Sequence, residues 1–407
     1  MAFFKKLQSL NFRSTSPFMM LAILTAAIAF SFSTWRTLLN NFAIDVVDFT
    51  GSEMGALQSL REVPGFLAFT AIFLLLFVRE QSLAILSVAL MGFGIAITGY
   101  FPSILGLYIT TVIMSIGFHY YETANQSLSL QLFSKKDAPE NLGKLIAVSS
   151  FSSLIAYVFI FIFFTKFDIG YKYSFMLAGI ITIAVALYVY LKFPKIEVEH
   201  EQNKKLILRK SYWLYYALVF MGGARRQIFV VFAGFLMVEK FGFTVPEIAT
   251  LYFLNGVFNI YLAPKIGKLI SNWGEKRVLT LEYLGLILIF IGYGFVDNKW
   301  FGVALFIADH AFFAMAIAQK TYFQKIADPK DFAPTAGVAF SINHIAAIFL
   351  PAVYGFIWIT WGSSYVFFIG AGFAILSLIL ARLISNEPEA GNEFVWSKPI
   401  KQSSPAE

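Results

Sequence analysis

His119, Glu122, Asn125 and Gln126 stand at three- and four-residue intervals in the stretch SIGFHYYETANQSLSLQLF, residues 115–133. Residues spaced this way share one face of a helix. The spacing therefore predicts one polar face, with Phe118, Ala124, Leu128 and Leu132 on the other side. An imidazole, a carboxylate and two amides in a row suit a helix that lines an aqueous path. The same groups also suit a buried hydrogen-bond cluster that only ties helices together. His119 alone reads equally as a satisfied core histidine or a proton carrier.

Charged residues inside apolar runs carry the same question further. Eight stand out: Arg36, Arg61, Glu62, Glu122, Arg225, Arg226, Asp309 and Lys320. Each costs about 2.5–3.5 kcal/mol at a helix centre in lipid. Eight facing lipid would cost more than about 20 kcal/mol, against a typical net stability of about 5–15 kcal/mol. As a set they must pair with one another or face a hydrated cavity.

Their types suggest roles. Arginine presents a fixed fork of donors that matches carboxylate or phosphate. Arg36, and Arg225 with Arg226 just after the helix-weakening pair Gly222-Gly223, are candidates to hold an anionic solute, with His119, His310 and Asn125 beside them. One of the arginine pair is equally readable as the partner of an acid or of backbone carbonyls. A carboxylate in a low-dielectric setting holds its proton more readily. Glu122 and Asp309 are accordingly the candidates for proton coupling. Asp309 and His310 point about 100° apart on a helix, while Lys320, eleven residues on, returns to the face of Asp309. Lys320 also reads as a side chain snorkelling to the membrane edge. Arg61 and Glu62 precede Pro64-Gly65 and serve one another or separate neighbours, Glu122 among them. Asn255, Asn259, Asn343 and His344 rank lower, because buried amides usually bridge helices. Five basic residues against three acidic bias a shared cavity toward anions.

The elements that must position these groups follow from composition. Of 407 residues, 58% are hydrophobic, 18% aromatic and 14% charged, whereas soluble domains average about 25% charged. A span needs about 20 mostly apolar residues to cross the ~30 Å hydrocarbon layer. Twelve runs fit: 17–43, 52–78, 81–100, 103–132, 139–165, 171–193, 211–239, 245–271, 277–296, 299–325, 332–360 and 363–385. Single segments in lipid satisfy their backbone only as helices. The basic N-terminal stretch MAFFKKLQSLNFRSTSP leads into a run too long for a cleaved signal peptide, so it reads as the first retained span. The long polar connection 194–210 divides the chain into bundles 1–193 and 211–385, followed by a polar tail, 386–407, expected to be mobile. Most of the 31 lysines and arginines fall on one side of these spans. The positive-inside rule places both termini in the cytoplasm, and explains the net charge of +7 without nucleic acid.

The halves echo one another. WRTLLNNFA (35–43) aligns with RRQIFVVFA (225–233), SEMGALQSL (52–60) with PEIATLYFL (246–254), and GFHYYET (117–123) with ADHAFFA (308–314), at nearly constant offset. Two repeated six-helix halves are a common transporter plan, with the solute site near mid-membrane. After the eighth span, GKLISNWGEKR (267–277) resembles the cytoplasmic loop signature of the major facilitator superfamily, G-x-L-x-D-R-x-G-R-K. Gly267, Leu269, Gly274 and Lys276 match, followed by Arg277; Ser271 replaces the usual aspartate. The matching loop of the first half, LLLFVREQS (74–82), has lost the pattern. The resemblance implies an all-α integral membrane fold of twelve transmembrane helices in two six-helix pseudo-repeats. It implies a multi-pass protein of a bacterial inner (plasma) membrane, monomeric, with a small-molecule solute and the lipid bilayer as partners, no cofactor and no metal.

The absences agree. There is no cysteine, no G-x-x-x-x-G-K-[ST] phosphate loop, no H-E-x-x-H and no G-x-S-x-G elbow. The chain reads as a transporter rather than an enzyme: a secondary active carrier of a small organic anion, proton-coupled, working by alternating access. Two other readings stay open. One is multidrug efflux, which the 47 phenylalanines permit, although span five lacks the glycine-proline pattern of drug–proton antiporters. The other is a non-transporting sensor or assembly protein built on a carrier scaffold.

Overall fold

The computed structural model describes residues 16–70, 74, 77–132, 138–167, 169–194, 208–313, 315, 317–328 and 331–396. Most of the 194–210 connection and the end of the tail fall outside them.

The described chain is helical almost throughout. α1 is Pro17–Asp45, α2 Gly51–Phe66, α3 Glu80–Thr98, α4 Ile104–Leu132, α5 Ala138–Lys166 and α6 Tyr171–Lys192. α7 comprises Trp213–Gln227, a π-helical turn at Ile228–Ala233, and Gly234–Glu239. α8 is Val245–Trp273 and α9 Glu275–Gly294; α10 comprises Lys299–Phe313 and Ile317–Ile326; α11 is Phe332–Trp361 and α12 Ser363–Leu383. Each falls on one of the apolar runs, with bounds within a few residues except for α2, which ends at Phe66 and is followed by a 3-10 turn at Leu67–Thr70, against a run of 52–78. Ten are long and apolar enough to cross a membrane. α2 and α8 are the other two. They carry Glu53, Arg61 and Glu62, and Asn255, Asn259, Lys265 and Lys268, respectively.

Local chemistry sets the ends of these helices. Thr244 and Glu247 form a reciprocal capping box at the start of α8, with Pro246 in its first turn. This satisfies amide donors that a helix start leaves open. α8 stops at Gly274, whose φ of 77° and ψ of 162° lie in a region essentially restricted to glycine. The next residue begins α9. The signature glycine is thus a helix-to-helix corner.

Contacts sort the helices into two compact units: α1 to Phe42 with α3–α6, and α2 with α7–α12. In the first, Trp35, Leu38, Met114, Ala156, Ile160 and Phe175 are buried, and Ser31 donates to the Ala178 carbonyl at 3.1 Å. In the second, α2 lies so close to α11 that a Cβ on Gly55 would sit 2.2 Å from the Pro351 carbonyl oxygen. Small residues permit this backbone approach where lipid gives no hydrophobic drive between helices. At the end of this unit the Tyr212 hydroxyl donates to Asp331 Oδ2 at 2.7 Å, and Arg209 Nη2 donates to Oδ1 at 2.9 Å.

The start of the tail departs from the expected mobility. Ile384 and Phe394 form an antiparallel bridge. Tyr322 donates to the Glu393 carbonyl at 2.9 Å, and the Phe394 ring meets Trp213 edge-on at 5.8 Å. Phe394 gives this segment a ring to pack, which its polar average conceals, while Val395 and Trp396 stay exposed.

Candidate functional site

The first unit encloses a cavity of about 320 Å³ between α1, α4 and α5. α1 contributes Thr25, Phe32, Ser33 and Arg36; α4 contributes Phe118, Tyr121, Glu122 and Asn125; α5 contributes Ser149, Ser153 and Tyr157. Positions 149, 153 and 157 are successive i, i+4 steps, so α5 turns a single hydroxyl stripe to the cavity. Arg36 Nη2 donates to the Tyr157 hydroxyl at 3.0 Å. Ser33 donates to Ser153 at 2.9 Å, and the Thr25 and Tyr121 hydroxyls lie 2.9 Å apart. Phe32 and Phe118 stack at 4.7 Å and 18°, giving the cavity one apolar side. Glu122 is exposed to the opening, with His119 Nδ1 3.5 Å from its Oε2. His119 itself is buried.

The predicted polar face of α4 therefore resolves into a cavity-lining pair, Glu122 and Asn125, and a histidine behind them. Gln126 has no described side chain. The α5 hydroxyls went unseen in the sequence because serine and tyrosine are common in spans; their regular spacing was the available signal.

The second unit holds a different arrangement. Arg225 on α7 lies 3.6 Å from Glu282 on α9, and both are buried. The guanidinium sits over the Tyr283 ring at 4.5 Å. Gln319 on α10 donates to the Tyr283 hydroxyl at 2.9 Å and to the Leu218 carbonyl at 3.4 Å. Asp309 on α10 is 2% exposed. Arg226, one residue on, is exposed, as is Lys320. His310 donates its Nδ1 proton to the Phe306 carbonyl at 2.8 Å and packs edge-on to Phe229 at 4.4 Å. Glu282 was not singled out in the sequence, although it lies within the apolar run 277–296. The π-helical turn begins just after Arg225-Arg226, and such turns often mark functional segments of helices.

Arg61 and Glu62 are buried and paired with one another. His344 Nε2 is 3.5 Å from Glu62 Oε2, which joins α2 to α11. Around the signature loop, Gly267 and Leu269 are partly buried, Lys276 is partly buried and Arg277 exposed. Glu275, beside them, is buried and accepts from Lys325 Nζ at 2.8 Å.

Outside the helices, Asp331 is held below the usual carboxylate range, first by the hydrogen bond from Arg209 and then by that from Tyr212.

These features fit a membrane carrier, and comparison with known proteins agrees. The profile of the Major Facilitator Superfamily matches residues 18–351. The chain belongs to that superfamily, a family of transporters rather than enzymes. Among solved structures, a mutant form of the nucleoside transporter NupG is similar with a TM-score of 0.75 and 15% identity, over 90% of this chain and 99% of that one. A bacterial homolog of the human lysosomal transporter Spinster, inward-facing and occupied, gives 0.69 and 13% over 89% and 95%. An autoinhibited POT family peptide transporter gives 0.69 and 13% over 90% and 96%. At these identities the likeness is one of fold. Among curated proteins none matches by sequence.

Proposed function

We propose that this protein is a secondary active transporter that moves a small organic anion across a bacterial plasma membrane by alternating access, coupled to protons. The halves 1–193 and 211–385 would rock about the solute, joined by the 194–210 connection, with the 386–407 tail and both termini in the cytoplasm and the protein acting as a monomer. The cavity of the first unit carries the reading. Arg36 stands in it with Tyr157, Asn125 and three serines, one helical turn along α1 from the Phe32–Phe118 stack. A charge-assisted hydrogen bond from a pre-positioned guanidinium suits a carboxylate or phosphate, and the aromatic side suits a carbon skeleton. Arg225 is engaged with Glu282, whereas Arg36 itself lines the cavity, with Asn125 as a neighbouring amide. Glu122 lines the same cavity and Asp309 is buried in the second unit; one of them takes the coupled proton. The neighbours named as nucleoside and peptide transporters support small polar organic molecules as cargo of this fold.

A thermal-shift screen of the purified protein against metabolite anions, cations and drugs identifies the solute class. Uptake of the first hit into proteoliposomes then tests the roles. Arg36→Gln is expected to abolish uptake at low solute, and Glu122→Gln or Asp309→Asn to remove its response to a pH gradient. Stabilisation by cationic drugs alone, or an unchanged pH response in both amide variants, would contradict the reading.

A further inference from the structure

Basic residues gather at one end of the second unit, around the corner between α8 and α9. Lys268 lies near the end of α8, Lys276 and Arg277 lie in the first turn of α9, and Arg382 lies in the last turn of α12. Lys268, Arg277 and Arg382 are exposed and Lys276 is partly buried. α9 and α12 pack antiparallel. Tyr293 stacks on Phe367 at 4.8 Å, and a Cβ on Gly370 would sit 3.1 Å from the Phe290 ring. From that contact, Phe290 back to Arg277 is about 20 Å and Gly370 on to Arg382 about 18 Å, at about 1.5 Å per residue. The two arginines therefore stand level, at the ends of neighbouring helices.

The acids nearby do not answer these charges. Glu275 is buried and accepts from Lys325 Nζ at 2.8 Å. Among the described residues no carboxylate lies within ion-pair distance of Lys268, Lys276, Arg277 or Arg382. At the other end of the same unit Lys240 and Lys299 are each paired, with Asp297 at 2.7 Å and Glu247 at 2.8 Å. Grouped charges of one sign attract an external counter-charge. An apolar face continues directly from the arginines. Leu281, Leu284, Leu288, Ile291 and Phe295 follow Arg277 at alternating four- and three-residue steps, and all are exposed, so they form one stripe. Arg277 to Leu288 covers about 16 Å, roughly half of the ~30 Å hydrocarbon layer. On α12, Ile379 and Ile375 precede Arg382 in the same way and are exposed. Trp273, 51% exposed at the corner, is of the residue type that settles at headgroup level.

We propose that the start of α9 and the end of α12 form a seat for one anionic phospholipid. Arg277 and Arg382 hold its headgroup phosphate, Lys276 and Lys268 add to the attraction, and its acyl chains lie along the α9 and α12 stripes. A guanidinium matches the geometry of a phosphate, and basic pockets between helix ends are where anionic headgroups bind. Cations that run straight into an apolar stripe one leaflet long fit an amphiphile better than a free phosphate. Such a lipid ties α9 to α12 at their ends. It uses no residue that lines the cavity of the first unit, so the proposal stands apart from the identity of the solute.

Native mass spectrometry of the detergent-purified full chain, titrated with dioleoyl phosphatidylglycerol or dioleoyl phosphatidylcholine, counts bound lipid without any solute. The wild type is expected to retain phosphatidylglycerol at lower concentration than phosphatidylcholine. Arg277→Gln and Arg382→Gln should each weaken that retention roughly fivefold and leave phosphatidylcholine unchanged. Arg277→Lys and Arg382→Lys, which keep the charge, should preserve most of it. Lys240→Gln, which removes a paired cation at the other end, should change nothing. Glycerol 3-phosphate, a headgroup phosphate without chains, should not displace the lipid. Equal retention of the two lipids by the wild type overturns the proposal, as does undiminished phosphatidylglycerol binding when both arginines are glutamine. Displacement by glycerol 3-phosphate overturns it too, because the site would then serve a soluble phosphate. Should the double variant fail to fold, the single variants and the wild-type comparison still decide it.

Discussion

Arg36 on α1 donates to the hydroxyl of Tyr157 on α5 at 3.0 Å, across the wall of the first unit's cavity. A guanidinium held at one edge by a phenol is fixed in the orientation it presents to the cavity. Hydrogen bonds to charged groups contribute about 1.5–3 kcal/mol, and about 1.4 kcal/mol is a tenfold change in affinity. Arg36→Gln should therefore weaken solute affinity roughly 10- to 100-fold. Tyr157→Phe removes only the positioning bond, a neutral group contributing about 0.5–1.5 kcal/mol, and should cost about two- to tenfold. Titrations of the solute found by thermal shift check both. Equal losses in the two variants would mean that Tyr157 touches solute directly.

Gly274 joins α8 to α9 with a φ of 77°, and a Cβ there would meet nothing within 4 Å. The demand is on the backbone alone, not on space. Gly274→Ala should destabilise the protein by about 1–3 kcal/mol, the usual cost of a residue held in such a region. Melting of the purified protein in detergent reads this. The Ala and Ser variants should lose equally, since neither side chain meets a neighbour.

Asp331 precedes α11 and accepts from Arg209 and Tyr212. These bonds stabilise its ionised form, so its folded pKa lies below the unfolded value. The sign follows from linkage: the contribution is complete above the ordinary carboxylate range and is lost as pH falls through the lowered folded pKa. The wild type should melt above Asp331→Asn at neutral pH, and the gap should close on acidification below that range. A gap that widens in acid would contradict the assignment.

Much of this arrangement was readable from the chain, and the exceptions have physical reasons. All twelve apolar runs carry helices, because the membrane permits a single segment no other backbone solution. Glu122 and Asn125 were found because charge and amide in a greasy helix are expensive, and their spacing put them on one face. Ser149, Ser153 and Tyr157 were not, since hydroxyls in spans often bond their own helix; Ser153 does so, to the Ser149 carbonyl at 3.1 Å. Arg225 stood out but Glu282 did not. Which arginine meets an acid depends on how α7 packs on α9, and no local pattern encodes that. The docking of Glu393 and Phe394 onto Tyr322 and Trp213 likewise depends on where α7 and α10 end.

The chain contains no cysteine, so a single Ser153→Cys gives a clean probe of the cavity between α1, α4 and α5. Ser153 lines it and, among the described residues, bonds to a serine hydroxyl and its own helix. Labelling with a membrane-impermeant thiol reagent, in right-side-out and inverted vesicles, measures directly whether this cavity opens to each side in turn. The account predicts reaction from both faces, slowed at both by saturating transported solute. Reaction from one face only, unchanged by solute, would contradict it.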